Sequence, residues 1–139
     1  MKRSILIFLS CIALPAYAAG FSAHVPKGWK IIKSVEGDLN GDNQADAVLV
    51  LQKQDKANII PNETMGLPDL DTNPRMLKVL FKQAGGYKTA VENTTLIPPE
   101  DSKDNGCLGD PFSDLSIDKG RLKLRFEWFY SCGSWWMGD

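Results

Sequence analysis

The sequence predicts a single, mostly antiparallel β domain. Residues 122–130 alternate apolar and polar side chains, which is the period of a strand with one buried face. Short apolar runs rich in β-branched residues recur along the chain, separated by turn segments rich in Gly, Asn and Asp. After residue 18, no segment has the apolar spacing of an amphipathic helix, apart from one short turn within residues 58–70.

The strands follow in order from these signals. The first candidates are Trp29–Val35, Ala47–Lys53, Arg75–Lys82 and Tyr87–Glu92. Ala47–Lys53 is almost entirely apolar, which is typical of a buried strand, and Gly85-Gly86 predicts a hairpin between the last two candidates. The polar segments 54–74 and 98–111 contain Pro and Gly and predict long surface loops.

A second hairpin is expected near the C-terminal end. Leu115 and Ile117 alternate with polar residues, and Asp118-Lys119-Gly120 supplies a tight turn. The apolar face of the returning strand comprises Leu122, Leu124, Phe126, Trp128 and Tyr130. The opposite, polar face comprises Arg121, Lys123, Arg125 and Glu127. The alternation predicts that the apolar face is buried along its whole length.

Residues 1–18 predict a cleavable secretory signal peptide. Lys2 and Arg3 form the basic start, Ser4–Leu14 is the apolar run, and Ala16-Tyr17-Ala18 offers small residues to signal peptidase. A membrane anchor is disfavoured because a spanning helix needs about 20 apolar residues, and the lipoprotein alternative lacks the usual leucine of that motif. We therefore expect a periplasmic or secreted bacterial protein whose mature domain is residues 19–139.

Processing changes both the charge and the cysteine count. Loss of residues 1–18 reduces the basic residues from 16 to 14 against 17 acidic ones, so the formal charge goes from −1 to −3. Such a domain lacks the basic footprint of a general nucleic-acid binder, and no later apolar stretch is long enough to span a bilayer. Cys11 leaves with the signal, so Cys107 and Cys132 are expected to form a disulfide. A redox or zinc site is disfavoured because the sequence has no C-x-x-C motif and no His near these cysteines.

One loop between two strand candidates carries an acidic motif, GDLNGDNQAD. Oxygen donors recur at alternate positions, at Asp38, Asn40, Asp42, the backbone carbonyl of Gln44, and Asp46. Calcium typically takes about six to eight oxygens, often from alternate residues of one tight loop. The alternative is a loop of solvated Asx turns without metal. We favour a structural Ca²⁺, because turns alone do not require three carboxylates at these spacings.

This loop resembles the calcium loops of FG-GAP repeats, in which D-x-[DN]-x-D-G-x-x-D links two strands. It departs from that pattern with Gly41 at the fourth position and Asn43 in place of the usual Gly. The likeness covers residues 36–51 and implies a calcium loop without a propeller. A wider resemblance is to small exported bacterial proteins, and it implies no activity. The segments that carry it, besides GDLNGD, are Asn73-Pro74-Arg75, Gly109–Phe112 and Gly133–Trp136.

An enzyme is the least favoured function. The single histidine, His24, lies in the entry segment, which disfavours a Ser–His–Asp hydrolase. The carboxylate pairs Glu100-Asp101 and Asp69/Asp71 keep a hydrolase as a third candidate. The first expectation is a non-catalytic domain that binds a protein partner as an inhibitor or immunity-like factor.

The C-terminal aromatic residues provide the candidate contact surface, Trp128, Phe129, Trp135 and Trp136. An exposed platform of this kind would also suit a carbohydrate-binding module, which is the second expectation. Phe129 is informative because it lies on the polar face of the predicted strand: exposed, it marks a contact surface, and covered by a tryptophan, it belongs to the core. The ending GSWWMGD indicates either a short packed tail or a longer protein that continues past Asp139.

Overall fold

A computed structural model describes residues 20–130 and Cys132, and this part of the chain is mostly antiparallel β-structure, as predicted. The strands are β1 (Trp29–Gly37), β2 (Asp46–Lys53), β3 (Ile59–Pro61), β4 (Asp69–Asp71), β5 (Arg75–Gln83), β6 (Gly86–Asn93), β7 (Phe112–Asp118) and β8 (Arg121–Phe126). One-turn 3₁₀ helices occupy Ser22–His24 and Lys56–Asn58. The predicted signal peptide and the terminal segment 133–139 lie outside the described residues.

The main sheet has four antiparallel strands in the order β1-β2-β5-β6. Strand β2 is buried at every position except Lys53, so both of its faces are covered. This confirms the buried strand predicted from the run at 47–53. The hairpin predicted at Gly85-Gly86 is formed by β5 and β6. Among the described residues, no helix is long and apolar enough to cross a membrane.

The two faces of this sheet are covered by different parts of the chain. On one face, Val48, Val50 and Leu77 pack against the hairpin β7–β8. On the other face, Leu49 and its neighbours pack against Phe21, which is only 4% exposed. The entry segment before β1 is therefore part of the core.

The structure differs from the sequence-based expectations in two places. The loop expected at 54–74 contains the short hairpin β3–β4. The long strand expected at 122–130 ends at Phe126, so Trp128 and Tyr130 are exposed and the prediction of a buried face beyond Phe126 is wrong. Pro111 lies opposite this point, where Glu127 donates its N–H to the Pro111 carbonyl. Proline has no N–H to continue a regular ladder.

Candidate functional site

The acidic loop connects β1 to β2, and Asp38 organises it. The Asp38 carboxylate accepts backbone N–H groups from Asn40 (3.2 Å), Gly41 (2.7 Å) and Asn43 (2.9 Å). These bonds, led by that of Asn43, hold the pKa of Asp38 below its ordinary value. Their stabilising effect is present above the ordinary pKa and is lost as the pH falls through the lowered one.

The centre of the loop is a succession of Asx turns. The Asn40 side-chain oxygen accepts the Asp42 N–H at 3.0 Å, and Asp42 accepts the Gln44 N–H at 2.8 Å. The backbone is left-handed at Gly41 (φ 81°) and Asn43 (φ 60°), two residue types that tolerate this conformation. The loop therefore curls tightly, as its composition predicts.

Asp46 has a different role from the exposed positions. It is completely buried at the start of β2, and its two oxygens accept the N–H of Leu39 and the N–H of Lys82, each at 2.9 Å. Since Lys82 belongs to β5, this carboxylate joins the loop to the neighbouring strand. The spacing marked Asp46 only as a calcium ligand, whereas the structure shows that it braces the sheet.

The donors of this loop suit calcium in their chemistry, because every one is a hard oxygen. The Asp38 oxygen that accepts the Asn43 N–H, the Asn40 side-chain oxygen and the Asp42 oxygen that accepts the Gln44 N–H each accept one backbone N–H and retain a further lone pair. Within residues 20–130 and Cys132, however, no three His, Cys, Asp or Glu side chains are grouped as a metal centre. The Asx turns alone therefore explain the hydrogen bonds of the loop, and calcium remains a prediction for Asp38, Asn40, Asp42, Gln44 and Asp46.

Replacing Asp46 with asparagine is expected to lower the free energy of unfolding by about 2 kcal/mol, because the amide would present an N–H to one of two buried backbone donors. The loss should already be present in EDTA, where no metal is bound, as measured by urea denaturation. Asp42→Asn, at an exposed position of the same loop, is the matched control and should matter only in calcium. A loss at Asp46 that appears only with calcium would contradict the bracing role.

The predicted disulfide between Cys107 and Cys132 is present, with the two Cα atoms 5.0 Å apart. It joins the chain that follows β8 to the loop that precedes β7. The Cys107 sulfur also lies 3.1 Å from the Met65 carbonyl, so the loop between β3 and β4 reaches the same place. Three segments distant in sequence therefore meet at this end of the molecule.

Large apolar side chains are exposed around the disulfide, and we call this set the aromatic surface. Its members and their exposed fractions are Met65 (74%), Leu67 (61%), Trp128 (65%), Phe129 (54%) and Tyr130 (70%). Phe129 is thus exposed, which is the outcome expected of a contact surface. Trp135 and Trp136, the other predicted contact residues, lie outside the described part of the chain.

Residues 128–130, which we call the aromatic segment, are held by Leu108 and by Gly109 of the segment Gly109–Phe112 (GDPF). Gly109 donates its N–H to the Phe129 carbonyl at 3.0 Å, and Leu108 forms a bridge with Tyr130. A Cβ atom at Gly109 would lie 2.3 Å from the Phe129 ring, so any larger residue there would displace the ring from this position. The exposed aromatics are therefore positioned by specific contacts.

Two open grooves lie on either side of this segment. The first, of about 530 Å³, is lined by Trp128, Leu108 and Pro111 together with Glu100, Asp101 and Asp104. The second, of about 510 Å³, is lined by Met65, Leu67 and Phe129 together with Asp110. Both volumes fall within the range of about 300–1,000 Å³ that is typical of ligand sites.

Sequence reasoning missed a buried cation that pairs with Asp110, a residue that lines the second groove. Arg75 is 2% exposed and forms a two-pronged ion pair with Asp110, at 2.6 and 2.7 Å. Glu100 lies 3.6 Å from the same guanidinium. The signal was present in the sequence, because Arg75 and Asp110 belong to the NPR and GDPF segments, but nothing in their spacing indicated that they pair.

The structure links the two predicted carboxylate pairs, Glu100-Asp101 and Asp69/Asp71, through contacts of Asp71. Gln52 donates to Asp71 at 3.0 Å and to Glu100 at 3.3 Å, and the Asp101 carboxylate accepts the Asp71 N–H at 2.7 Å. These contacts hold the loop at residues 98–111 against β4 and the main sheet. His24 lies elsewhere, with its ring against Tyr87. Asp69 stands on β4 opposite Pro61.

Comparisons with protein-family models, with curated proteins and with solved structures found no match. The geometry of the site is therefore the basis for assigning a function.

Proposed function

We propose that this chain is a non-catalytic, exported domain that binds a protein partner through the aromatic surface, as an inhibitor or immunity-like factor does. The observation that carries the proposal is the exposure of five large apolar side chains at one end of the described structure. Single exposed apolar residues are ordinary, but adjacent ones mark contact sites. Trp, Tyr, Phe and Met are the types enriched where proteins bind one another.

The support under this surface favours binding without large rearrangement. The disulfide, the Gly109–Phe129 hydrogen bond and the Arg75–Asp110 ion pair fix the segments that present the exposed side chains. A surface ordered before binding loses less conformational entropy on association. The bracing of this end therefore has a purpose in partner binding.

A carbohydrate ligand is the second candidate, and the first groove favours it. Trp128 lines that groove beside Glu100 and Asp101. An aromatic ring next to carboxylates can stack on a sugar ring while the carboxylates accept its hydroxyl groups. The two candidates share one surface and differ in what they place upon it.

Capture from a periplasmic extract by the immobilised mature protein separates the two candidates. We expect the immobilised protein to retain a partner protein, and soluble sugars should not release that partner. Trp128→Ala should reduce the retention about tenfold, as for an interface hot spot. Val91→Ala is the matched control, since Val91 is a half-exposed apolar residue on β6, away from the aromatic surface. Retention by the Trp128 variant would refute the proposal, whereas glycan-array binding lost in that variant would establish the second candidate.

We also propose that the acidic loop binds a structural calcium ion. Asp38, Asn40, Asp42 and the Gln44 carbonyl would hold the ion, with Asp46 at the buried base of the loop, and the ion would neutralise the three carboxylates. Support comes from the all-oxygen donor set and the left-handed curl at Gly41 and Asn43.

Calcium at 100 times its dissociation constant is expected to stabilise the mature protein by about 2.7 kcal/mol, or roughly 10 °C in melting midpoint relative to EDTA. Asp42→Ala should abolish this shift. Asp69→Ala, which removes an exposed carboxylate from β4, should leave it unchanged. Equal midpoints in calcium and EDTA would refute the metal site and leave the Asx-turn alternative.

A further inference from the structure

The charge around the aromatic surface is one-sided. The carboxylates that line its two grooves are Glu100, Asp101, Asp104 and Asp110. Lys103 is the only basic residue among the lining residues described. Arg75 is buried and neutralises Asp110, and it also lies 3.6 Å from Glu100. In the first groove, Glu100, Asp101 and Asp104 still outnumber the single cation Lys103, next to the exposed Trp128 side chain.

This combination selects the chemistry of the ligand. A lysine or arginine side chain has an apolar stem that can lie along apolar surface and a charged end that seeks carboxylates. Trp is the aromatic side chain with the strongest attraction for cations. In the first groove Trp128, Leu108 and Pro111 offer the apolar surface, and the carboxylates of Glu100 and Asp104 lie in its wall.

We propose that the groove beside Trp128 receives a lysine or arginine side chain from a cationic segment of the protein partner. This inference rests on the proposed function, because it names the chemistry of the partner at the same surface. A purely apolar segment would remove water from the carboxylates of Glu100 and Asp104 without supplying a cation, which carries a desolvation cost. A cationic segment can pack its apolar stem on the aromatic rings and pair its charge with the carboxylates.

A second copy of this chain is the alternative source of a cationic segment. Its polar face of β8 carries three basic residues, Arg121, Lys123 and Arg125. If the chain self-associates in this way, sedimentation equilibrium would show a dimer, and the Arg125→Gln variant would dimerise more weakly. We expect a monomer, and such a dimer would overturn the assignment to a different protein partner.

The direct test uses two synthetic peptides, one with alternating arginine and leucine and one with citrulline in place of each arginine. Citrulline keeps the shape of the side chain and removes its charge. Isothermal titration of the mature protein is expected to show at least about tenfold tighter binding of the arginine peptide, and an affinity that falls with added salt. Equal binding of the two peptides, or no binding of the arginine peptide, would overturn the proposal.

The variants Glu100→Gln and Asp104→Asn, combined in one protein, are expected to weaken the arginine peptide about tenfold. Asp118→Asn, at an exposed carboxylate away from the grooves, is the matched control, and thermal melts establish that all variants fold. The combined variant is then used in the capture experiment. If the captured protein is lost with Trp128→Ala but retained by the combined variant, the cationic inference fails while the proposed function stands. If Trp128→Ala also retains the protein, the proposed function fails.

Discussion

Replacing Asp110 with alanine is expected to lower the free energy of unfolding by about 3–4 kcal/mol. Arg75 is 2% exposed, so its charge is largely removed from water and depends on the carboxylate that it would lose. The nearest remaining carboxylate, that of Glu100, lies 3.6 Å away and is half exposed. The substitution also removes the acceptor of the Phe112 N–H. A buried charge without its partner is among the most destabilising single changes.

Urea denaturation measures this loss, and Asp118→Ala is the matched control. Asp118 pairs with Lys123, but both side chains are more than half exposed, so the control should change stability by less than about 0.5 kcal/mol. Adding Arg75→Met to Asp110→Ala should recover part of the loss, because no buried charge is then left. Equal effects of Asp110→Ala and Asp118→Ala would show that the buried pair contributes little.

The elements that the sequence predicts correctly are those encoded by neighbouring residues. Strand β2 follows from its continuous apolar run, and the turns at Gly85-Gly86 and Asp118–Gly120 follow from their composition. The hairpin β3–β4 escaped prediction because each strand has three residues, too few to show a period. Strand β8 ends before its alternation does, because Pro111 across from it has no N–H.

The site shows the same division between local and distant information. The disulfide followed from counting the cysteines of the predicted mature domain, and the curl of the acidic loop followed from its Gly and Asn residues. The pairing of Arg75 with Asp110 joins residues 35 apart, and one sequence gives no measure of that proximity. Asp46 shows the limit of spacing as evidence, because the sequence does not distinguish a carboxylate that accepts two buried backbone N–H groups from one that holds a metal.

Removal of the disulfide by Cys107→Ala with Cys132→Ala is expected to lower the free energy of unfolding by about 3 kcal/mol. The two cysteines are 25 residues apart and enclose the whole hairpin β7–β8. That hairpin covers one face of the main sheet, so its attachment matters to the core and not only to the chain end. The cross-link acts chiefly by limiting the freedom of the unfolded chain.

Reduction of the unmodified protein should give the same loss of stability as the double variant, while the double variant should not respond to reductant. The disulfide also holds together the segments that carry Met65 and Phe129, so binding through the aromatic surface should weaken under reducing conditions even where the domain remains folded. A titration with the arginine peptide, with and without reductant below the melting midpoint, separates the two effects. Unchanged peptide binding after reduction would mean that Gly109 and its hydrogen bond to Phe129 are sufficient to order the aromatic surface. An unchanged melting midpoint after reduction would mean that core packing alone holds the hairpin β7–β8 on the main sheet.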